Sequence, residues 1–213
     1  MSQDRFAALC AVAGTVSRET FERLEAFERI FLRWADRMNL AAPSTLTDVW
    51  SRHILDSAQL AGLTKAMEIE RWVDIGSGGG FPGAILAILA EGHQARSVTL
   101  VESNAKKASF LRNALAELAP SAQIICDRAE NYIATHAPPD AVSARAVASL
   151  SALVSLCESW LGSRTIGFFH KGRDYRAELK LATDTWNLDL VEHKSAVDAG
   201  SVILEIRSVR RRV

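Results

Sequence analysis

A glycine-rich segment that begins at Gly76 constrains the fold of this chain more than any other feature. It has five glycines in eight residues, and it directly follows the apolar run Arg71–Ile75. Glycine permits backbone bends that a Cβ would forbid and lets a ligand approach the main chain closely. Pro82 suits the start of a helix. A strand, a glycine turn and a helix N-terminus with free N–H groups together predict a site for a nucleotide-like ligand.

Strand-like and helix-like segments alternate along the rest of the chain. Strands are predicted at Arg71–Ile75, Ser97–Glu102, Gln123–Cys126, Ala141–Ala144, Thr165–His170 and Val202–Arg207. Helices are predicted at Pro82–Glu91, Asn104–Leu118, Leu150–Leu161 and Asp174–Asp184. This alternation predicts a three-layer α/β fold, in which a doubly wound, mostly parallel sheet carries helices on both faces. A further strand near Leu188–Val191 predicts an antiparallel hairpin at the C-terminus.

Residues 1–68 are predicted to form a helical cap on this sheet. One apolar stripe with helical spacing consists of Phe27, Ile30, Phe31, Trp34 and Met38. The spacing predicts that these side chains belong to the core. Ser17 can cap their helix, and a second helix is predicted from Leu46 to about Leu60. Residues 69–213 form the sheet domain, and we expect cap and sheet to make one compact unit.

The composition is that of an ordinary globular protein. Hydrophobic residues make up 48% of the chain and charged residues 23%, with a formal net charge of zero. Such a balance does not suggest a nucleic-acid binder, although a neutral total can hide a basic face. Three cysteines without metal-ligand spacing predict free thiols in a reducing compartment and no bound metal. With no long apolar run and no basic leader, we expect a cytoplasmic monomer that does not span a membrane.

The position of the glycine loop relative to its strand separates two classes of cofactor. The dinucleotide frame G-x-G-x-x-G begins at Gly78, two residues late, whereas the S-adenosylmethionine (SAM) frame G-x-G-x-G begins at Gly76, directly after the strand. Asp74 suits the sulfonium and amino group of SAM, and it would repel a pyrophosphate. Glu102 ends the next strand and can accept both ribose hydroxyls of either cofactor. The loop therefore favours SAM over NAD.

Several motifs resemble those of the ribosomal RNA small-subunit methyltransferase G family, also called glucose-inhibited division protein B. They are Arg52–Ser57, Asp74–Gly83, Asp127–Glu130, Ser143–Ala146 and Lys171-Gly172. The resemblance covers almost the whole chain, and Arg52–Ser57 is its specific part. It implies that residues 69–213 are a SAM-dependent methyltransferase domain acting on guanine N7 in the 530 loop of 16S ribosomal RNA, either naked or in the 30S particle. One departure is Asn39–Ala42, where the family usually has Asn-Leu-Thr.

The resemblance also implies where the cofactor binds. The expected cofactor-binding residues are Asp74, Gly76, Gly78, Phe81, Glu102, Ala129, Glu130 and Arg145. Of these, Asp74 and Glu102 follow from position, whereas Ala129 and Glu130 are expected beside the adenine because they match the family motif. Arg145 is expected where cofactor and substrate meet.

The chemistry of guanine N7 agrees with the residues around the fourth strand. N7 carries a lone pair and no proton, so positioning and electrostatics are expected to supply the catalysis and no general base is needed. Pro138-Pro139-Asp140 lacks the order expected for methylation of exocyclic amines, and no cysteine nucleophile follows the strand. Arg145 does follow it, where an open sheet presents residues to ligands. Its guanidinium can bond a phosphate or a guanine acceptor, or it can form a structural ion pair.

Basic residues expected at the same sheet edge are the candidates for RNA binding. They are Lys106, Lys107, Arg128, Lys171 and Arg173. If they converge, a neutral chain still presents a positive face. His53 and Asp56 share one helix face, and they either form a structural pair or shape the cofactor pocket.

Three alternatives to this function stay open. A different SAM methyltransferase could act on another RNA or on a small molecule, and a nicotinamide oxidoreductase ranks below it. From another class, a non-catalytic ribosome-binding protein could keep SAM only as a structural ligand.

Overall fold

The computed structural model describes residues 2–93 and 96–212. Seven strands within them are β1 Arg71–Ile75, β2 Ser97–Val101, β3 Gln123–Ile125, β4 Ala141–Arg145, β5 Ile166–Lys171, β6 Trp186–Lys194 and β7 Val202–Arg211. They form one sheet in the order β3-β2-β1-β4-β5-β7-β6. Strands β1 to β5 are parallel, and β7 runs antiparallel to both β5 and β6. The predicted mostly parallel sheet with a C-terminal hairpin is confirmed.

The helices of the described residues lie on both faces of the sheet. They are α1 Ser2–Ala13, α2 Arg18–Met38, α3 Asp56–Leu63, α4 Gly83–Ala90, α5 Ala105–Leu115, α6 Ala129–Thr135, α7 Leu150–Leu156, α8 Glu158–Leu161 and α9 Tyr175–Thr185. Successive side chains of a strand point to opposite faces, and accordingly Trp72 belongs to one hydrophobic cluster and Val73 to the other. The first cluster includes residues of α1 to α5, and the second includes residues of α6 to α9.

The strand order also determines where a ligand can bind. From β1 the chain adds β2 and β3 on one side, and then returns to place β4 on the other side. The carboxyl ends of β1 and β4 therefore form the topological switch point at which open α/β sheets bind ligands. The loop after β1 contains Gly76, and β4 ends at Arg145.

The cap shares its core with the sheet. Phe27 and Phe31 of α2 are fully buried in the same cluster as Trp72 and Leu100 of the sheet. A division after residue 68 therefore separates the cap helices from the sheet domain along the sequence, but the two parts share one core.

Two local predictions for the cap have different outcomes. Ser17 caps α2, because its Oγ accepts a hydrogen bond from the Thr20 N–H at 3.0 Å. Trp34, however, is 43% exposed, so its assignment to the core is wrong. Ala35 continues the buried stripe instead. Adjacent helix residues point about 100° apart, and this turns Trp34 to the edge of the buried face.

Some predicted elements are less regular than their sequence patterns suggested. The predicted helix from Leu46 to Leu60 is a 3₁₀ helix at Pro43–Asp48, a π-helix at Trp50–Leu55 and then α3. The predicted helix Leu150–Leu161 is divided at Cys157, and the first strand of the terminal hairpin is longer than expected. A π-helix is a rare element that often occurs at functional sites, and this one contains Arg52 and His53.

Three arginines near the C-terminus, Arg210, Arg211 and Arg212, form a basic segment that lies away from the switch point. Val202 of β7 pairs with Lys171 at the carboxyl end of β5, and β7 then runs back along the sheet. Arg210 is eight residues further on, about 25 Å along the strand.

In the described parts of the chain, no helix is both long and apolar enough to cross a bilayer.

The different burial of Phe31 and Trp34 predicts different stability losses. We expect Phe31→Ala to lower the free energy of unfolding by about 3–5 kcal/mol, because it leaves a cavity in the core. Trp34→Ala is expected to cost about 1 kcal/mol or less, because the side chain is half-exposed. Urea unfolding of both variants measures the loss of unfolding free energy. Equal losses would contradict the buried position of Phe31 and the half-exposed position of Trp34.

Candidate functional site

The glycine loop leaves β1 directly at the switch point. Gly76 has φ +65°, in the left-handed region that favours glycine. A Cβ on Gly76 would lie 2.6 Å from Cγ2 of Val147, so the loops after β1 and β4 touch there. The loop is anchored on its other side by Phe81, whose ring packs against Phe27 and Phe31 with centroid distances of 5.8 and 5.0 Å.

Asp74 lies beneath this loop and joins three elements. Its Oδ1 accepts a hydrogen bond from the Ser143 hydroxyl at 2.7 Å, and its Oδ2 accepts one from the Gly83 N–H at 3.1 Å. The Ser143 oxygen in turn accepts from the Trp72 indole N–H at 2.9 Å. Burial raises the pKa of Asp74 to about 6, although these hydrogen bonds oppose the shift. Asp74 is fully buried and is not among the residues that line the cavity, so its placement gives no support to the expected contact with a cofactor.

Glu102 lies beside the glycine loop with its carboxylate oriented by the backbone. One oxygen accepts from the Gly78 N–H and the other from the Asn104 N–H, both at 2.7 Å. Each carboxylate oxygen can accept a second hydrogen bond. The pair of oxygens is therefore still able to receive two hydroxyl groups, as expected for the ribose of a cofactor.

Arg145 ends β4 and points across the crevice to the cap. Its Nη1 donates to the Arg52 carbonyl at 3.1 Å and to Oδ2 of Asp56 at 3.2 Å. Its Nη2 is 2.7 Å from Nδ1 of His53, and the guanidinium carbon lies 5.1 Å from the centre of the Phe81 ring. The Arg145 side chain is only 17% exposed. These contacts hold a cation at the inner wall of the cavity.

His53 is a neutral side chain that orients Arg145. Burial, followed by the charges of Arg145 and Arg52, lowers its pKa to about 3. Nδ1 therefore accepts from Arg145, and the proton on Nε2 is donated to Oγ1 of Thr45 at 2.9 Å. The Thr45 hydroxyl donates onward to the Ala42 carbonyl at 2.7 Å. The sequence left open whether His53 and Asp56 form a pair with each other, and the structure shows that both bind Arg145.

The loop after β4 is supported from the side of β5. Nζ of Lys171 donates to the Ala148 carbonyl at 2.7 Å and to the Glu178 carboxylate at 2.8 Å. The same Glu178 oxygen accepts from the Leu150 N–H at 2.6 Å. Lys171 was a candidate for RNA binding, but its side chain is 6% exposed and engaged in these bonds. These bonds hold the segment that begins at Ala146, whose φ is +55°.

These elements line a solvent-open cavity of about 880 Å³. The predicted site residues that line it are Gly76, Gly78, Phe81, Glu102, Lys107, Arg145, Lys171 and Arg173. Ala129, Glu130, Lys106 and Arg128 do not line it. Ala129 begins α6 and Lys106 lies in the first turn of α5, while the exposed Glu130 pairs with Arg128 at 3.3 Å. The structure thus brings most predicted residues into one cavity, whereas the residues expected beside the adenine are not part of its lining.

Sequence reasoning missed two parts of the cavity wall. Thr45 directly precedes the predicted helix that begins at Leu46, and nothing local to it indicates that His53, eight residues later, is its partner. The loop between β6 and β7 contributes Val197, Asp198 and Ser201. Gln59 ties this loop to α3, because its Oε1 accepts from the Ala196 N–H at 3.0 Å. The sequence marked the segment only as a hairpin turn.

Among residues 2–93 and 96–212, no group of three or more His, Cys, Asp or Glu side chains is placed to hold a metal ion.

The raised pKa of Asp74 predicts how stability depends on pH. In the folded protein Asp74 takes up a proton near pH 6, whereas its ordinary pKa is 3.8. Relative to Asp74→Asn, the wild-type protein should therefore lose up to about 3 kcal/mol of unfolding free energy as pH rises from 4 to 6. Urea unfolding of both proteins over this range measures the difference. The difference in unfolding free energy between the two proteins should be constant above pH 7. A difference that is also constant between pH 4 and 6 would contradict the raised pKa of Asp74.

Comparisons with known proteins agree on one family. The model of the family described as rRNA small subunit methyltransferase G matches residues 20–206. The ribosomal RNA small subunit methyltransferase G of Chelativorans sp. (strain BNC1) is 50% identical over 211 residues, which are 99% of this chain and 100% of that protein. The protein of the same name from Brucella canis is 48% identical over 100% of this chain and 99% of its own length.

Solved structures share the fold at low sequence identity. A TehB-like SAM-dependent methyltransferase from Corynebacterium glutamicum has a TM-score of 0.55 and 12% identity, covering 84% of this chain and 97% of that one. Fibrillarin from Aeropyrum pernix, in complex with natively bound S-adenosyl-L-methionine, has a TM-score of 0.54 and 16% identity, covering 73% of this chain and 75% of that one. At such identities the likeness concerns the fold alone.

Proposed function

The chain belongs to the rRNA small subunit methyltransferase G family, and from this premise we propose that it transfers a methyl group from SAM to N7 of a guanine in the 530 loop of 16S ribosomal RNA. The family and the fold make it a SAM-dependent ribosomal RNA methyltransferase. The choice of N7 goes further and is argued from the site, whereas the 530 loop is what the resemblance to the family implies.

One observation carries the proposal most directly. Arg145, a buried cation, lies where the glycine loop meets the loop after β4, and its guanidinium is oriented by His53 and Asp56. An oriented guanidinium can donate a hydrogen bond to O6 of a guanine, which leaves the N7 lone pair free to attack the methyl group. Arg145 therefore suits the binding and orientation of a guanine in front of the methyl donor.

Most hydrogen-bonding atoms of His53, Asp56 and His170 are engaged by the protein, and only Nδ1 of His170 among these imidazole nitrogens has no partner within the described residues. This fits an acceptor that has no proton to lose. Both ring nitrogens of His53 are bonded, and Asp56 accepts from Arg145 and from Gln59. His170 donates from Nε2 to the Asp56 carbonyl at 3.1 Å, and burial lowers its pKa. Since N7 needs no general base, these residues have only to bind and orient.

The residues around the glycine loop fit SAM. Glu102 offers two oriented oxygens for the ribose hydroxyls, and Gly76 and Gly78 give close access to the backbone. Ala129 and Glu130 remain our proposal for the adenine side, because they follow β3, next to β2. When bound, SAM supplies a methyl group on a sulfonium centre. We propose that Asp74 acts on this site indirectly, by holding the loop.

The remaining expectations concern the partner. Lys107 and Arg173 line the cavity, and we propose that Lys106 and Arg128 extend this basic edge towards the RNA. We also propose that the protein acts as a monomer, as expected from the sequence. A ribosomal RNA substrate supports the cytoplasmic location expected from the sequence.

Mapping the methylated atom tests the proposal. We expect radiolabelled methyl from SAM to enter 16S RNA of 30S subunits from cells lacking this enzyme, and nuclease mapping with nucleoside mass spectrometry to find 7-methylguanosine in the 530 loop. Naked 16S RNA serves as the comparison that identifies the preferred form of the substrate. Label on an exocyclic amine, or no transfer despite SAM binding, would contradict the proposal.

The role of Arg145 predicts a large and specific loss. Arg145→Ala should lower the rate of methyl transfer about 10²–10³-fold, as removal of one preorganised donor does in other enzymes. Arg145→Lys should recover little, because an ammonium cannot reproduce the guanidinium fork between His53 and Asp56. Calorimetry with SAM and urea unfolding are the controls for cofactor binding and folding. Transfer within tenfold of wild type would remove the proposed role.

A further inference from the structure

Two groups of residues line the cavity, and we use them to define a first compartment beside the glycine loop and a second compartment. The cavity volume of about 880 Å³ is near the upper end of the range of about 300–1,000 Å³ for pockets that hold one small ligand. Glu102 and the glycine loop line one part, whereas Arg52, Arg173 and the β6–β7 loop line the other. Arg145 adjoins both parts, because it contacts the Phe81 ring and the Arg52 carbonyl. The compartment beyond Arg145 is therefore available to the acceptor.

Two arginines from distant parts of the chain meet at this compartment. Arg52 comes from the π-helix of the cap and Arg173 from the segment after β5, and both side chains are exposed. Arg173 lies against the β6–β7 loop, since a Cβ on Gly200 would be 3.0 Å from its Nε. Arg52 Nη1 makes a long hydrogen bond, 3.4 Å, to the Ser44 carbonyl.

A carboxylate of the β6–β7 loop lies near both arginines. Asp198 accepts hydrogen bonds from the Gly200 N–H at 2.9 Å and the Ser201 hydroxyl at 2.8 Å. These bonds, and then the charges of Arg173 and Arg52, lower the pKa of Asp198. The two cations thus already stabilise one negative group at the edge of the cavity, and a phosphate has the same charge sign and accepts the same donors.

We propose that Arg52 and Arg173 bind one phosphate of the target nucleotide, so that its guanine leaves the RNA stack and enters the cavity towards Arg145. The inference rests on the proposed function. Arg145 is 17% exposed, so a base that stays stacked in a helix cannot reach it. Enzymes that modify bases commonly extrude the nucleotide into such a pocket. Lys171 cannot replace these arginines, because Ala148 and Glu178 engage its ammonium group.

Salt-dependent binding to a 16S RNA transcript tests this phosphate site. The logarithm of the binding constant falls linearly with the logarithm of the salt concentration. Each lost contact with a single-stranded phosphate makes this slope less steep by about 0.7. Arg52→Ala and Arg173→Ala should each lose this increment and bind about fivefold more weakly at 0.1 M salt. Arg52→Lys and Arg173→Lys should keep the slope, because they keep the charge. Asp198→Asn should bind more tightly, because it removes a competing carboxylate while keeping an acceptor for the turn.

Arg210→Ala is the matched control, since it removes one exposed arginine at the opposite edge of the sheet. It should leave the slope unchanged, and all variants should bind SAM as wild type does. The phosphate site is wrong if both arginine-to-alanine variants keep the wild-type slope, if Arg210→Ala loses as much, or if Asp198→Asn weakens binding. Methyl transfer by the wild-type protein tests the proposed function separately. Transfer to N7 with unchanged slopes would overturn only the phosphate site, whereas reduced slopes without transfer would overturn only the function.

Discussion

Asp74 accepts hydrogen bonds from two elements that the chain reaches only after it has left β1. Gly83 opens α4 at the far side of the glycine loop, and Ser143 belongs to β4, the strand next to β1 across the switch point. A carboxylate loses its hydration when it is fully buried, and these donors replace part of it. The loop, the helix start and the two central strands are consequently held together by one side chain that does not face the cavity.

The position of Arg145 follows from this arrangement. It ends β4 two residues after Ser143, so the bond that sets β4 against β1 also places Arg145 beside the glycine loop. The cap then orients the guanidinium through His53 and Asp56, and Lys171 supports the segment that follows. Because these contacts come from the cap, the end of β4 and β5, the cavity exists only when cap and sheet are folded together.

A chain with no net charge can still suit an anionic polymer when its charges are distributed unevenly. Around the cavity, several acids are engaged by the protein itself: Glu102 by backbone N–H groups, Glu178 by Lys171, and Asp56 by Arg145. Arg52 and Arg173 stay exposed at the second compartment. The local arrangement of charges, rather than their total, supports RNA binding at this edge.

The sequence by itself determined the α/β architecture, the loop at Gly76, the acid after β2 and the arginine after β4, because strand periodicity, glycine content and the order of elements are local properties of the chain. It did not reveal which hydrogen bonds engage Asp74 and Lys171, or that Trp34 is half-exposed. Nor did it indicate that Thr45 orients His53 or that the β6–β7 loop closes the cavity. Only the tertiary structure decided these points, since each depends on which distant side chains compete for the same hydrogen bond or the same buried space.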